Sequence, residues 1–304
     1  MKKLPFIIIL DVENTIIGDY DMLVTEWYVL EYIYNICKKK GINAKCFSSD
    51  LVDMQDELKN GLLRPNVGDF LRFCNTKFKN AEVFLYTSSG YAWTNLVLGK
   101  NIESALKMKI NRPFLTLHNS MKNDSLKSVA NTYPLMIQTL VKRYPLLKDE
   151  KVSEYILNNR TILVDDMPND LFAYTGRRLI CPKYNFANDY DIYEKLIRKY
   201  KLNPEIFNDK DILAYLHERK ILVYNENGND FQKNKEYIAI AKTYHAIRKE
   251  IKKNKDGITK EDTYFKDLIK ELSKKKIGDE ILTDKNITML NIKLLSKNFT
   301  KEDE

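Results

Sequence analysis

Three short apolar runs punctuate the chain: FIIIL (Phe6–Leu10), EVFLY (Glu82–Tyr86) and TILV (Thr161–Val164). They are brief, rich in β-branched and aromatic residues, and apolar with little or no alternation, the pattern of a strand buried on both faces. Each gives way to a polar cluster: Asp11-Val12-Glu13-Asn14-Thr15, Thr87-Ser88-Ser89-Gly90, and Asp165-Asp166-Met167-Pro168. The stretches between them carry helical spacing. A helix is expected from about Thr25 to Lys40, with Trp27, Leu30, Ile33, Tyr34 and Cys37 along one face and a stop at Gly41. Arg64-Pro65-Asn66 opens another that carries Val67, Phe70, Leu71 and Phe73 inward, and helical patterns recur around Ala92–Leu98 and Ser125–Arg143. Pro113–Leu117 and Arg178–Cys181 are further strand candidates. Strands alternating with helices predict an α/β fold, a parallel sheet with helices on both faces.

In open α/β sheets, ligands bind beyond the carboxyl ends of the strands, where these clusters fall. Alternate residues of an extended segment share a face, so Asp11 and Glu13 can address one point, one attacking and the other shuttling a proton. The hydroxyls of Thr87 and Ser88, with backbone N–H groups at a helix start, suit phosphate oxygens. Asp165 and Asp166, with Asp170 nearby, add oxygens for a hard cation such as Mg²⁺. Turn and cap preferences explain any one such cluster equally well; three in this order favour a site.

The ordered set resembles the haloacid dehalogenase (HAD) superfamily, whose first motif is an apolar strand followed by DxDxT. It looks most like the branch that holds the phosphatases of the RNA polymerase II C-terminal domain and their NLI-interacting-factor-like relatives. DVENT stands at the first motif, LLRPNVGDFLRF (Leu62–Phe73) resembles that branch's RPG-x-x-x-FL segment, and FLYTSSGYAW (Phe84–Trp93) resembles its second motif. ILVDDMPND (Ile162–Asp170) resembles the fourth, trailed by LICPKYNF (Leu179–Phe186). The resemblance spans about Lys3 to Tyr200 and implies a HAD-like (Rossmannoid) fold. It implies Asp11 as nucleophile and Glu13 as general acid/base with its carbonyl on Mg²⁺. Thr87 would bind the phosphoryl group with Ser88 beside it, Asp166 would ligate Mg²⁺, and Asp165 would support the metal or orient the catalytic lysine. That lysine is Lys127 by spacing, with Lys122 second. Two departures stand out: Glu13 replaces the family's Asp, and the stretch from Lys127 to Asp165 is longer than the branch leads one to expect.

The chain is read as a HAD-like phosphatase domain over residues 1–204 and a basic, mostly helical region over 205–304, with basic clusters at Lys252–Lys255 and Lys274–Lys276. The net charge of +8 favours anionic partners. The function expected is a Mg²⁺-dependent phosphomonoester hydrolase acting on phosphorylated protein (Ser/Thr) or another phosphomonoester. Two alternatives stay open: a HAD-like domain of little or no activity used for binding or assembly, and a nucleic-acid or nucleotide phosphatase. The basic C-terminal helices also offer a nucleic-acid surface. No apolar run reaches the roughly 18–20 residues of a membrane span, and Lys2-Lys3 with the short run after them is too brief for a leader. The four cysteines, Cys37, Cys46, Cys74 and Cys181, form no CxxC pair and fit a reducing, cytoplasmic or nuclear setting. His118, His217 and His245 are scattered and build no histidine site. Abundant lysine and asparagine indicate an AT-rich genome, such as that of a large DNA virus or a protist.

Overall fold

The computed structural model describes residues 4–42, 54–117, 129–167, 178–186, 209–218, 259–275 and 281–299. The chain forms two compact units. The first comprises Met1–Asp19, Gln55–Phe186 and Thr259–Glu304; the second comprises Tyr20–Met54 and Ala187–Ile258. The boundary expected near 204–205 is not where these units divide, and residues 259–304 belong with the sheet.

In chain order the described elements are β1 (Phe6–Leu10), α1 (Asp21–Lys39), α2 (Val67–Phe78), β2 (Ala81–Thr87), α3 (Gly99–Leu106), β3 (Leu115–Thr116), α4 (Val129–Leu140), α5 (Glu150–Asn159), β4 (Thr161–Asp165), β5 (Arg178–Ile180), α6 (Lys210–Glu218), α7 (Tyr264–Ser273) and α8 (Asp284–Phe299). Shorter helical turns lie at Met54–Leu62 and Tyr91–Leu98. The strands form one sheet in the order β3-β2-β1-β4-β5, all neighbours parallel, which makes the sheet unit Rossmann-like.

Parity along β1 assigns the two faces. Ile7 and Ile9 share a core with Phe84, Tyr86 and Leu163, closed by Val129, Met136 and Leu140 of α4 and Ile156 of α5. On the other face Phe6 meets Phe78 of α2, with ring centroids 4.7 Å apart. Helix α7 packs against α2 through Phe265 and Phe70, 5.2 Å between rings. Asn291 of α8 accepts from the Ile180 amide (2.9 Å) and donates to the Arg178 carbonyl (2.8 Å), which covers the β5 edge. The C-terminal helices therefore belong to the sheet unit, α7 against α2 and α8 against β5, and their apolar residues Phe265, Leu268, Leu272 and Leu290 are buried.

The segment between α4 and β4, noted as long for its branch, is occupied by α5, whose N-cap Asp149 accepts from the amides of Lys151 (2.9 Å) and Val152 (3.3 Å). In the second unit, α1 ends where the glycine stop was expected: Gly41 adopts φ 68° and the Ile42 amide returns to the Cys37 carbonyl. There Tyr32 of α1 stacks on Tyr215 of α6 at 3.8 Å, and Lys40 pairs with Asp209 and with Asp211. No described helix is long and apolar enough to cross a membrane.

Candidate active site

The strand order puts a switch point at β1. The chain steps outward through β2 and β3 on one side of β1, and β4 and β5 lie on the other side. A crevice opens at the carboxyl ends where such a sheet reverses direction. Leu10 pairs with Val164, and the Asp11 amide donates to the Val164 carbonyl (2.9 Å), so Asp11 and Asp165 emerge side by side. Carboxylate oxygens of Asp11, Asp165 and Asp166 lie within 4.8 Å of one another. Asp11 and Asp165 are buried and Asp166 is half-buried.

Unit negative charges at that separation would repel by about 3–4 kcal/mol per pair at an effective dielectric of ~20. A divalent cation would offset that repulsion, and a donor set of oxygens alone would suit Mg²⁺ better than Zn²⁺. The carboxylate of Glu13 is not one of the three; its expected share in the metal was its backbone carbonyl. Glu13 itself is half-buried and forms an isolated bridge with Ile17.

The loop after β1 is held tightly. The Val12 carbonyl accepts from Ile16 (3.0 Å) and Ile17 (3.0 Å), and Asn14 takes a left-handed φ of 56°. At Gly18 a Cβ would stand 2.0 Å from the Phe186 carbonyl oxygen, so only glycine allows that approach. Thr15, wholly buried, joins this loop to the end of β4. Its hydroxyl donates to Asp166 Oδ1 (3.1 Å) and accepts from the Asp166 amide (3.0 Å). Asp165 Oδ1 accepts from the Met167 amide (2.8 Å), fixing the turn that follows β4.

Thr87 ends β2 two residues beyond Leu85, the partner of Leu10, and its Oγ1 accepts from the Ser89 amide (3.1 Å). Thr87 is buried while Ser88 is exposed. Lys127, Lys122 and Asp170 lie outside the described residues. Cys181 is buried with its Sγ 3.8 Å from Thr15 Oγ1. Burial pushes its thiol up to about 12, against the pull of the Arg64 guanidinium, so it stays protonated and is no nucleophile at neutral pH.

Thr15 and Arg64 are the residues whose part was underread. Thr15 was visible as the last member of DVENT, but its partner Asp166 is 151 residues away. No family model, no curated protein and no solved structure matches the chain.

Proposed function

We propose that the chain is a Mg²⁺-dependent phosphomonoester hydrolase of the haloacid dehalogenase type, working through an aspartyl-phosphate at Asp11. One observation carries this reading: carboxylates from two different strands, β1 and β4, converge at the switch point of a parallel sheet with Thr15 tying them together. The first motif DVENT supports the HAD assignment over other Rossmann-like enzymes.

A carboxylate oxygen of Asp11 attacks phosphorus while the bond from phosphorus to the leaving oxygen breaks, and Glu13 gives that oxygen its proton. Water then attacks the phosphorus of the aspartyl-phosphate. Glu13 takes the water's proton, inorganic phosphate leaves, and the Asp11 carboxylate is restored. Asp11, Asp165, Asp166 and, by resemblance, the Glu13 carbonyl would hold Mg²⁺, which would supply positive charge against the phosphoryl oxygens. The Thr87 hydroxyl and, by resemblance, Ser88 and Lys127 orient the phosphoryl group. Phosphoserine or phosphothreonine in protein is the substrate class the resemblance favours.

Hydrolysis of an aryl phosphate with and without Mg²⁺ tests the reading. Turnover that needs Mg²⁺ and disappears in Asp11→Asn is expected. Mg²⁺ should also stabilise the fold by mass action, by about 2.7 kcal/mol at a hundred times Kd, and so raise the melting temperature. Metal-independent turnover, or turnover that survives Asp11→Asn, refutes it.

A further inference from the structure

Arg64 is among the largest wholly buried side chains, and it faces two ways. Toward the loop after β1, its amide donates to the Ile16 carbonyl (2.9 Å) and its Nη1 to the Thr15 carbonyl (3.1 Å). Away from the loop, Nε reaches both carboxylate oxygens of Asp262 (3.1 and 3.0 Å) and Nη2 reaches Oδ2 (2.8 Å). Asp262 stands just before α7, 198 residues along the chain. The guanidinium carbon lies 5.4 Å from the Tyr184 ring, 5.1 Å from Tyr264 and 5.7 Å from Phe265. Tyr184 is fastened to the same loop, its amide donating to the Asn14 carbonyl (2.8 Å).

A buried ion pair is weak evidence for stability, since apolar residues of similar volume often hold a core as well. What a guanidinium supplies and an apolar residue cannot is a donor on the Thr15 carbonyl with a second set of donors aimed elsewhere. The side chain of that same Thr15 bridges to Asp166. We propose that Arg64 is a positioning residue for the carboxylate cluster, locked by Asp262, so that the C-terminal segment around α7 fixes the loop carrying Asp11. The hydrogen bonds of Arg64 go to Asp262 and to the Thr15 and Ile16 carbonyls, not to the three carboxylates of the cluster, so it acts through Thr15. The metal arm of the test rests on the proposed hydrolase; the exchange arm does not.

Amide hydrogen exchange of the full chain, read at Ile16, Ile17 and Asp166, tests this directly. Asp262→Asn and Arg64→Lys should speed exchange there by roughly 10- to 10²-fold, as expected for loss of charge-assisted bonds. Asp262→Glu, which keeps the charge, should recover much of the protection and covers the case where the other variants fold poorly. Glu271→Gln is the control, because Glu271 lies farther along α7 and pairs with Lys274 (2.6 Å) and Lys293 (3.7 Å). It should lower stability without changing exchange at those amides. In parallel, the Mg²⁺ concentration that half-saturates the melting shift should rise about tenfold or more in Asp262→Asn and stay put in Glu271→Gln. Unchanged exchange in Asp262→Asn, or equal acceleration in Glu271→Gln, overturns the proposal. A wild-type chain indifferent to Mg²⁺ defeats the metal reading and leaves the exchange result to decide this one.

Discussion

Replacing Thr15 by valine removes one hydroxyl from a wholly buried position and leaves the shape nearly intact. Two strong bonds go with it, one to the Asp166 carboxylate and one from the Asp166 amide, along with the weak one from the Cys181 thiol. A hydrogen bond to a charged group is worth about 1.5–3 kcal/mol and a backbone one about 1 kcal/mol, so the expected loss is roughly 2–4 kcal/mol. For a chain of this size each kcal/mol moves the melting temperature by about 2–4 °C, which predicts a drop on the order of 4–16 °C. Thr15→Ser keeps the hydroxyl and gives up a methyl group, a loss of about 1 kcal/mol. Urea denaturation, with the slope checked for constancy, reads both variants on one scale. Because Asp166 would also lose its orientation, Mg²⁺ should bind Thr15→Val about 10- to 10²-fold more weakly. A valine variant within about 0.5 kcal/mol of wild type and with unaltered Mg²⁺ response would refute the role given to Thr15.

Glu13→Gln should lower aryl-phosphate turnover by about 10²- to 10⁴-fold if Glu13 carries the proton; turnover equal to wild type would remove it from the mechanism. Glu13→Asp restores the residue of the resembled family and should raise turnover if the longer side chain is misplaced, or lower it if the site is built around Glu13; steady-state kinetics reads the sign. The Cys181 thiol is raised from 9.0 to about 12, chiefly by burial. A raised pKa means the folded state favours the protonated form. The stabilisation is complete below pH 9 and is withdrawn as pH climbs toward 12. Peptide mapping after iodoacetamide at pH 8 should find Cys181 unmodified in the native chain and alkylated in denaturant.

The strands and the polar clusters were legible because they depend on local pattern. Phe6–Leu10, Thr161–Val164 and Arg178–Cys181 emerge as strands within a residue of their expected limits, and β2 extends Glu82–Tyr86 by one residue at each end. Asp11, Asp165 and Asp166 were singled out from spacing, and their meeting follows from the parallel pairing of β1 with β4. Residues whose partners are distant were not legible. Arg64 read as the opening of a helix because nothing near it in sequence hints at Asp262, which looks like one more charge in a polar run. The same reason hid the fate of 259–304. Lysine-rich amphipathic helices read as a separate basic region, yet Phe265, Leu268 and Leu272 are buried, with Phe265 against Phe70 of α2. Helix α5 was not legible, because the stretch between Arg143 and Thr161 stood out only by its length, although Asp149 marks the helix start.

If Asp11 is the nucleophile it becomes covalently phosphorylated, and that acyl phosphate can be trapped. The chain is mixed with an aryl phosphate and Mg²⁺, quenched within one turnover, treated with borohydride and digested for mass analysis. Borohydride reduces an acyl phosphate to the alcohol and leaves a free carboxylate alone. Reduction of Asp11 to homoserine, seen only when substrate and Mg²⁺ are both present, is the predicted result. Rapid release of phosphate with Asp11 recovered unreduced, or the label found on another residue, would contradict the account.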